Sequence, residues 1–112
     1  MEKEIDVTRM SAHVIIDRAA RIAHIENSVG WGNAVVIAPD KKERDATATL
    51  TSTGVIVIKS LDGIIITAWV ASVAQAVSVW SRAKGNTHLP HWLWNVVNYN
   101  NNTEYWRNLV AA

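Results

Sequence analysis

Two sets of residues have types and spacings that could carry chemistry. In the first, Trp69, Trp80, Trp92, Trp94 and Trp106 are interleaved with Arg82, Asn95, Asn98 and Arg107 in the later part of the chain. Aromatic faces stack on nucleobases at roughly 1 to 3 kcal/mol per base. Arginine forks onto phosphate oxygens, and an Asn amide offers both a donor and an acceptor to a base edge. Trp69, Trp80, Asn95, Asn98 and Arg107 are therefore the expected ligand-binding residues, with a small anionic nucleotide as the ligand. The plainer alternative is that Trp fills the core where other chains use Phe, while Asn serves caps and turns.

In the second set, His13, Asp17, Arg21 and His24 follow one another at helical steps and share one face, with Arg18 beside them. A ribonuclease that works without a metal needs a general base, a general acid and a cation over the developing phosphorane. His13, His24 and Arg21 supply these, and Thr67 adds a hydroxyl donor. The alternative is a solvated helix face in which Asp17 and Arg21 pair for about 0.2 to 0.5 kcal/mol.

The wider composition narrows these options. A chain of 112 residues is expected to form a single domain, 1–112, with one core. A formal net charge of +1 gives no broad field for gripping long nucleic acid, so any anion site has to be local. The chain has no cysteine, which excludes disulfides and thiolate metal sites. It has no Gly-rich phosphate loop, no His-Glu-x-x-His and no Gly-x-Ser-x-Gly, so neither a metal nor an organic cofactor is expected. His88 and His91 lack the Cys or acidic partners that a zinc site needs. No apolar run approaches the roughly 20 residues that cross a bilayer, and the charged start does not resemble a signal peptide. The expected setting is cytosolic, without a membrane partner.

The elements that must position these residues are legible as patterns. Ile15, Ala19, Ile22, Ile25 and Val29 recur at threes and fours, which predicts a helix over residues 8–29 stopped by Gly30 and Gly32. Trp31 is expected to plug the core at the helix exit. Residues 33–38 read as a first strand. Residues 46–53 read as a second with a polar face of Thr47, Thr49, Thr51 and Thr53. Residues 55–59 and 64–70 are apolar at nearly every position and meet across Asp62-Gly63, which predicts a central hairpin covered on both faces. A helix begins at Ala71 or Ser72 and runs to Lys84, with Gly85 as its stop. Pro90 starts another over residues 91–99, which the Asn100-Asn-Asn102 run should interrupt, and Thr103 can cap a last short helix over 104–110. The expected fold is α+β: an N-terminal helix, about four antiparallel strands, then C-terminal helices packed on the sheet. Six Trp and an apolar hairpin exceed what one small core readily hides, so a homo-oligomer is expected, at least a dimer.

Two resemblances add to this reading. One helix followed by a four-stranded antiparallel sheet closed by Ile64-Ile-Ile-Thr-Ala68 resembles the nuclease group of barnase, EndoU and RelE. That likeness implies a metal-independent RNase using His13, His24, Arg21 and Thr67. Over residues 46–109, the succession Leu50-Thr-Ser-Thr-Gly-Val55 and Ile65-Ile-Thr-Ala-Trp-Val-Ala71 leads to a helix carrying Trp80, a Pro90-led helix and Arg107. This succession resembles the phage anti-Thoeris family, small phage proteins that sequester cyclic ADP-ribose-type signals, some of which also take cyclic oligonucleotides. It implies a phage-encoded sponge that stacks its ligand on Trp69 and Trp80, holds phosphate with Arg107 and leaves the ligand uncleaved in the host cytosol. A protein-binding inhibitor without a small ligand is the third alternative.

Overall fold

The structure, a computed structural model, describes residues 12–41 and 45–102, with side chains from residue 18 onward. It is an α+β arrangement of α1 (Ala12–Ser28), β1 (Ala34–Pro39), β2 (Ala46–Thr51), β3 (Val55–Ser60), β4 (Ile65–Val70), α2 (Val73–Lys84) and α3 (His91–Asn101). The strands form one antiparallel meander in the order β1-β2-β3-β4. The anticipated last helix over 104–110 lies outside the described residues.

Strand periodicity divides the core into two layers. On one face Ile56, Ile58 and Ile66 join Leu50, Ala48 and Val36 beneath α2 and α3, which contribute Ala76, Val79, Leu93 and Val97. On the other face Val55, Val57, Ile65, Ala68 and Val70 pack against Ile22 and Ile25 of α1 and against Trp31. Trp31 is buried as anticipated, in the layer that α1 closes.

The hairpin is covered on both faces, but only one of its strands is central. β3 lies between β2 and β4, whereas β4 pairs with β3 alone among the described residues and is an edge strand of the sheet they form. A continuous apolar run reports that both faces of a strand are covered, here by α1 below and by α2 and α3 above. It does not report the strand's place in the order. A bulge at Ile58/Lys59 shifts the β3–β4 register, and the alternation of the strand puts the neighbours Ile65 and Ile66 into different core layers.

The threonine face of β2 also departs from expectation, because Thr49 and Thr51 are buried. Thr51 Oγ1 lies 3.1 Å from Thr53 Oγ1 and accepts from the Val55 amide at 3.2 Å. Thr53 Oγ1 in turn contacts the carbonyl oxygens of Gly30 and Trp31 at 3.1 and 3.2 Å. These hydroxyls tie the α1–β1 connection to the β2–β3 turn, so burial leaves them satisfied.

α2 has complete caps. Ser72 accepts from the Gln75 amide at 3.2 Å while the Gln75 side chain accepts from the Ser72 amide at 2.9 Å, and left-handed Gly85 closes the other end. α3 runs through Asn100 and Asn101 where an interruption was expected. Asn100 Nδ2 donates to the Thr53 carbonyl at 2.9 Å and Asn101 Nδ2 to the Ala71 carbonyl at 2.7 Å. Tertiary hydrogen bonds therefore outweigh the modest helix propensity of Asn.

Candidate functional site

A cavity of about 330 Å³ opens between α2 and the sheet. Its floor is Ala48, Ile56, Ile58 and Val79, and its wall is Trp69 from β4. α2 presents Gln75, Ser78 and Arg82 at helical steps of three and four, and the end of β1 brings Asp40 and Lys41 to the rim. The space exists because α2 packs chiefly over β1 and β2 and because Ala48 and Ala74 are too short to fill what it leaves over β3 and β4. An apolar floor with a few converging polar groups is the usual constitution of a small-molecule site, and the volume lies at the lower end of the range of about 300 to 1,000 Å³.

The polar groups are held in place. Trp69 Nε1 donates to Gln75 Oε1 at 3.0 Å, so the indole is pinned against α2 with its ring along the cavity. The same Oε1 accepts from the Ser72 amide, and the carboxamide is thereby fixed from two directions. Arg82 donates from Nε to the Ser78 carbonyl at 3.3 Å and from Nη1 to the Pro39 carbonyl, which holds its fork across the gap between α2 and the end of β1. Among the described lining residues, Arg82 and Lys41 against Asp40 leave one net positive charge at the mouth.

Of the residues expected to bind the ligand, Trp69 alone among the described ones lines this cavity. Trp80 lies five positions beyond Gln75, about 140° around α2 at 3.6 residues per turn, and does not share the cavity with Trp69. It packs on the core, donates to Asn86 Oδ1 at 3.1 Å and lies under Lys84 Nζ at 5.8 Å, so it clamps the connection leaving α2. Asn95 is exposed and Asn98 partly buried on α3, neither in the cavity wall. Trp92 and Trp94 are exposed, and Trp94 stacks on His91 with ring centroids 6.3 Å apart. Arg107 and Trp106 lie outside the described residues. Gln75, Ser78, Asp40 and Lys41 were missed from the sequence. The signal for the first two was available, since Ser72-x-x-Gln75 is a capping box and Gln75, Ser78 and Arg82 form the polar stripe of α2.

The second set assembles on the opposite side of the sheet. Arg21 Nη2 donates to Thr67 Oγ1 at 3.2 Å, joining α1 to the edge strand β4 across 46 positions of sequence. His24 follows Arg21 on the same face of α1, and both Arg21 Nε and His24 Nε2 are buried. His13 falls within α1, but its side chain lies outside the described residues, as does that of Asp17. Among the described residues, no group of three or more His, Cys, Asp or Glu is placed to hold a metal ion, and no helix is long and apolar enough to cross a membrane.

Comparison with protein-family models, with curated proteins and with solved structures finds no match to this chain. Functional inference therefore rests on the two constellations themselves.

Proposed function

We propose that the chain binds a small anionic nucleotide in the cavity between α2 and the sheet and holds it without cleaving it. The observation that carries this reading is the cavity itself: about 330 Å³, floored by alanine and β-branched side chains, walled by an indole and rimmed by Arg82 and Lys41. A nucleobase against Trp69 gains stacking, and a phosphate beside Arg82 gains charge-assisted hydrogen bonds. Arg82 takes the part that the resemblance gave to Arg107, and Trp69 acts without Trp80. In the setting implied by the anti-Thoeris likeness, the protein is a phage-encoded sponge in the host cytosol that withholds a signalling nucleotide from a defence system. The volume favours one base with its phosphate, or one end of a larger cyclic molecule. The test is mass spectrometry of what the purified protein releases on heat denaturation. An intact nucleotide supports sequestration, and release of nothing but buffer, with no calorimetric response to nucleotides, sinks it.

One observation favours a second reading, that of a metal-independent RNase. The Arg21 to Thr67 contact, with His24 on the same helix face, brings together three of the four residues that such chemistry would use. RNA cleavage that is lost in His24→Ala and Arg21→Ala but kept in Arg82→Ala would replace the sponge with the nuclease.

A further inference from the structure

We propose, resting on the nucleotide-binding reading above, that Gln75 selects the ligand ring, admitting bases with a carbonyl oxygen where competitors carry an amino group. The orientation of an amide side chain is normally ambiguous, but here its surroundings fix it. Trp69 Nε1 at 3.0 Å and the Ser72 amide at 2.9 Å are both donors, so the atom between them must be the acceptor Oε1. The Nε2 hydrogens are left with no protein partner among the described residues, on a side chain that lines the cavity beside the stacking face of Trp69. The polar groups that α2 and Lys41 offer to the cavity are donors or hydroxyls, and among the described lining residues Asp40 is the one carboxylate. A ring lying on Trp69 with its phosphate toward Arg82 and Lys41 therefore meets a rigid donor from Gln75. Uracil, hypoxanthine and guanine present a carbonyl oxygen where cytosine and adenine present an NH₂ group. Two donors facing each other leave both unsatisfied, and that penalty generates the preference.

Gln75→Glu separates this role from the structural one. A carboxylate oxygen still accepts from Trp69 and Ser72, and Glu is a normal member of a capping box, so α2 keeps its start. Only the group offered to the ligand changes, from donor to acceptor. The added negative charge weakens every anion alike, so the informative quantity is the ratio of affinities within a matched pair. Calorimetric titration with UMP against CMP and IMP against AMP should give roughly a tenfold preference for the carbonyl base in the wild-type protein. In Gln75→Glu that ratio should fall to one or invert, while the thermal transition stays within a few degrees. If the wild-type protein binds nucleotides with no such ratio, or if the ratio survives in Gln75→Glu, selection by Gln75 is overturned and the pocket stands. If no nucleotide binds the wild-type protein, the nucleotide-binding reading falls and this inference with it.

Discussion

At the scale of single residues, the proposed nucleotide site separates groups that would hold a ligand from groups that hold the fold. Among the described residues Arg82 bonds only to backbone carbonyls, at Ser78 and Pro39, so its removal should leave the core intact. Arg82→Ala should lower nucleotide affinity roughly tenfold to a hundredfold, the equivalent of about 1.5 to 3 kcal/mol for a hydrogen bond to a charged group. A calorimetric Kd unchanged within twofold would remove the phosphate from this rim. Ala74 offers a complementary probe because it lines the cavity yet is exposed. Ala74→Leu should narrow the opening and abolish binding, with a thermal midpoint close to wild type, since surface changes rarely exceed about 0.5 kcal/mol. Trp69 serves both functions and is the poorer target. The sequence put Trp69 at the end of the last strand and Trp80 on the following helix, but it could not tell which of the two lines the cavity. The two differ by which side of α2 they fall on, and that depends on where the sheet lies beneath the helix.

At the scale of elements, local rules located all seven described helices and strands, because each has a helical period, an alternation or an unbroken apolar run, and most run into Gly, Pro or Asp. The misplacement of β4 comes from reading strand order out of an apolar run, and two other departures share a different cause, a tertiary bond that outweighs a local preference. Asn100 and Asn101 look like the end of a helix until their amides are seen to reach the Thr53 and Ala71 carbonyls. The threonines of β2 look like a solvent face until Thr51 and Thr53 are seen stitching the turn. That stitching predicts a sensitive spot at Gly54. Its φ is +79°, and a Cβ there would lie 2.8 Å from Asn100 Nδ2 and 3.3 Å from Val96. Gly54→Ala should therefore cost more than the roughly 1 kcal/mol of left-handed strain alone, because α3 must also shift. Urea denaturation giving a loss below about 0.5 kcal/mol would mean that α3 does not seat on this turn as described. By contrast, Ser72→Ala removes one cap and should cost about 1 kcal/mol.

At the scale of the whole molecule, α1 on one face and α2 and α3 on the other explain how so apolar a hairpin is hidden. Ile66 is 4% exposed in the layer beneath α2 and α3, although its strand lies at the sheet edge. Ile66→Lys places an unpaired charge there and should destabilise by several kcal/mol, with melting within a degree or two of wild type as the contrary result. The expectation of an oligomer must now stand on different ground. It was argued from a hairpin with too much apolar surface for one chain, and the chain's own helices cover that surface. What remains is a group of aromatics on α3, with Trp92 49% exposed and Tyr99 70% exposed, seven positions and about two helical turns apart on one face. Bulky aromatics aligned on an otherwise packed helix are enriched where protein surfaces meet, and a second copy presents the same stripe by two-fold symmetry. Light scattering at micromolar concentration should then give a dimer, and Trp92→Ser with Tyr99→Ser should convert it to a monomer while nucleotide binding in the cavity persists. A strict monomer in the wild-type protein would assign the stripe to some other partner. A dimer that survives both substitutions would move the interface elsewhere, the outer edge of β4, which pairs with no other described strand, being the next place to test.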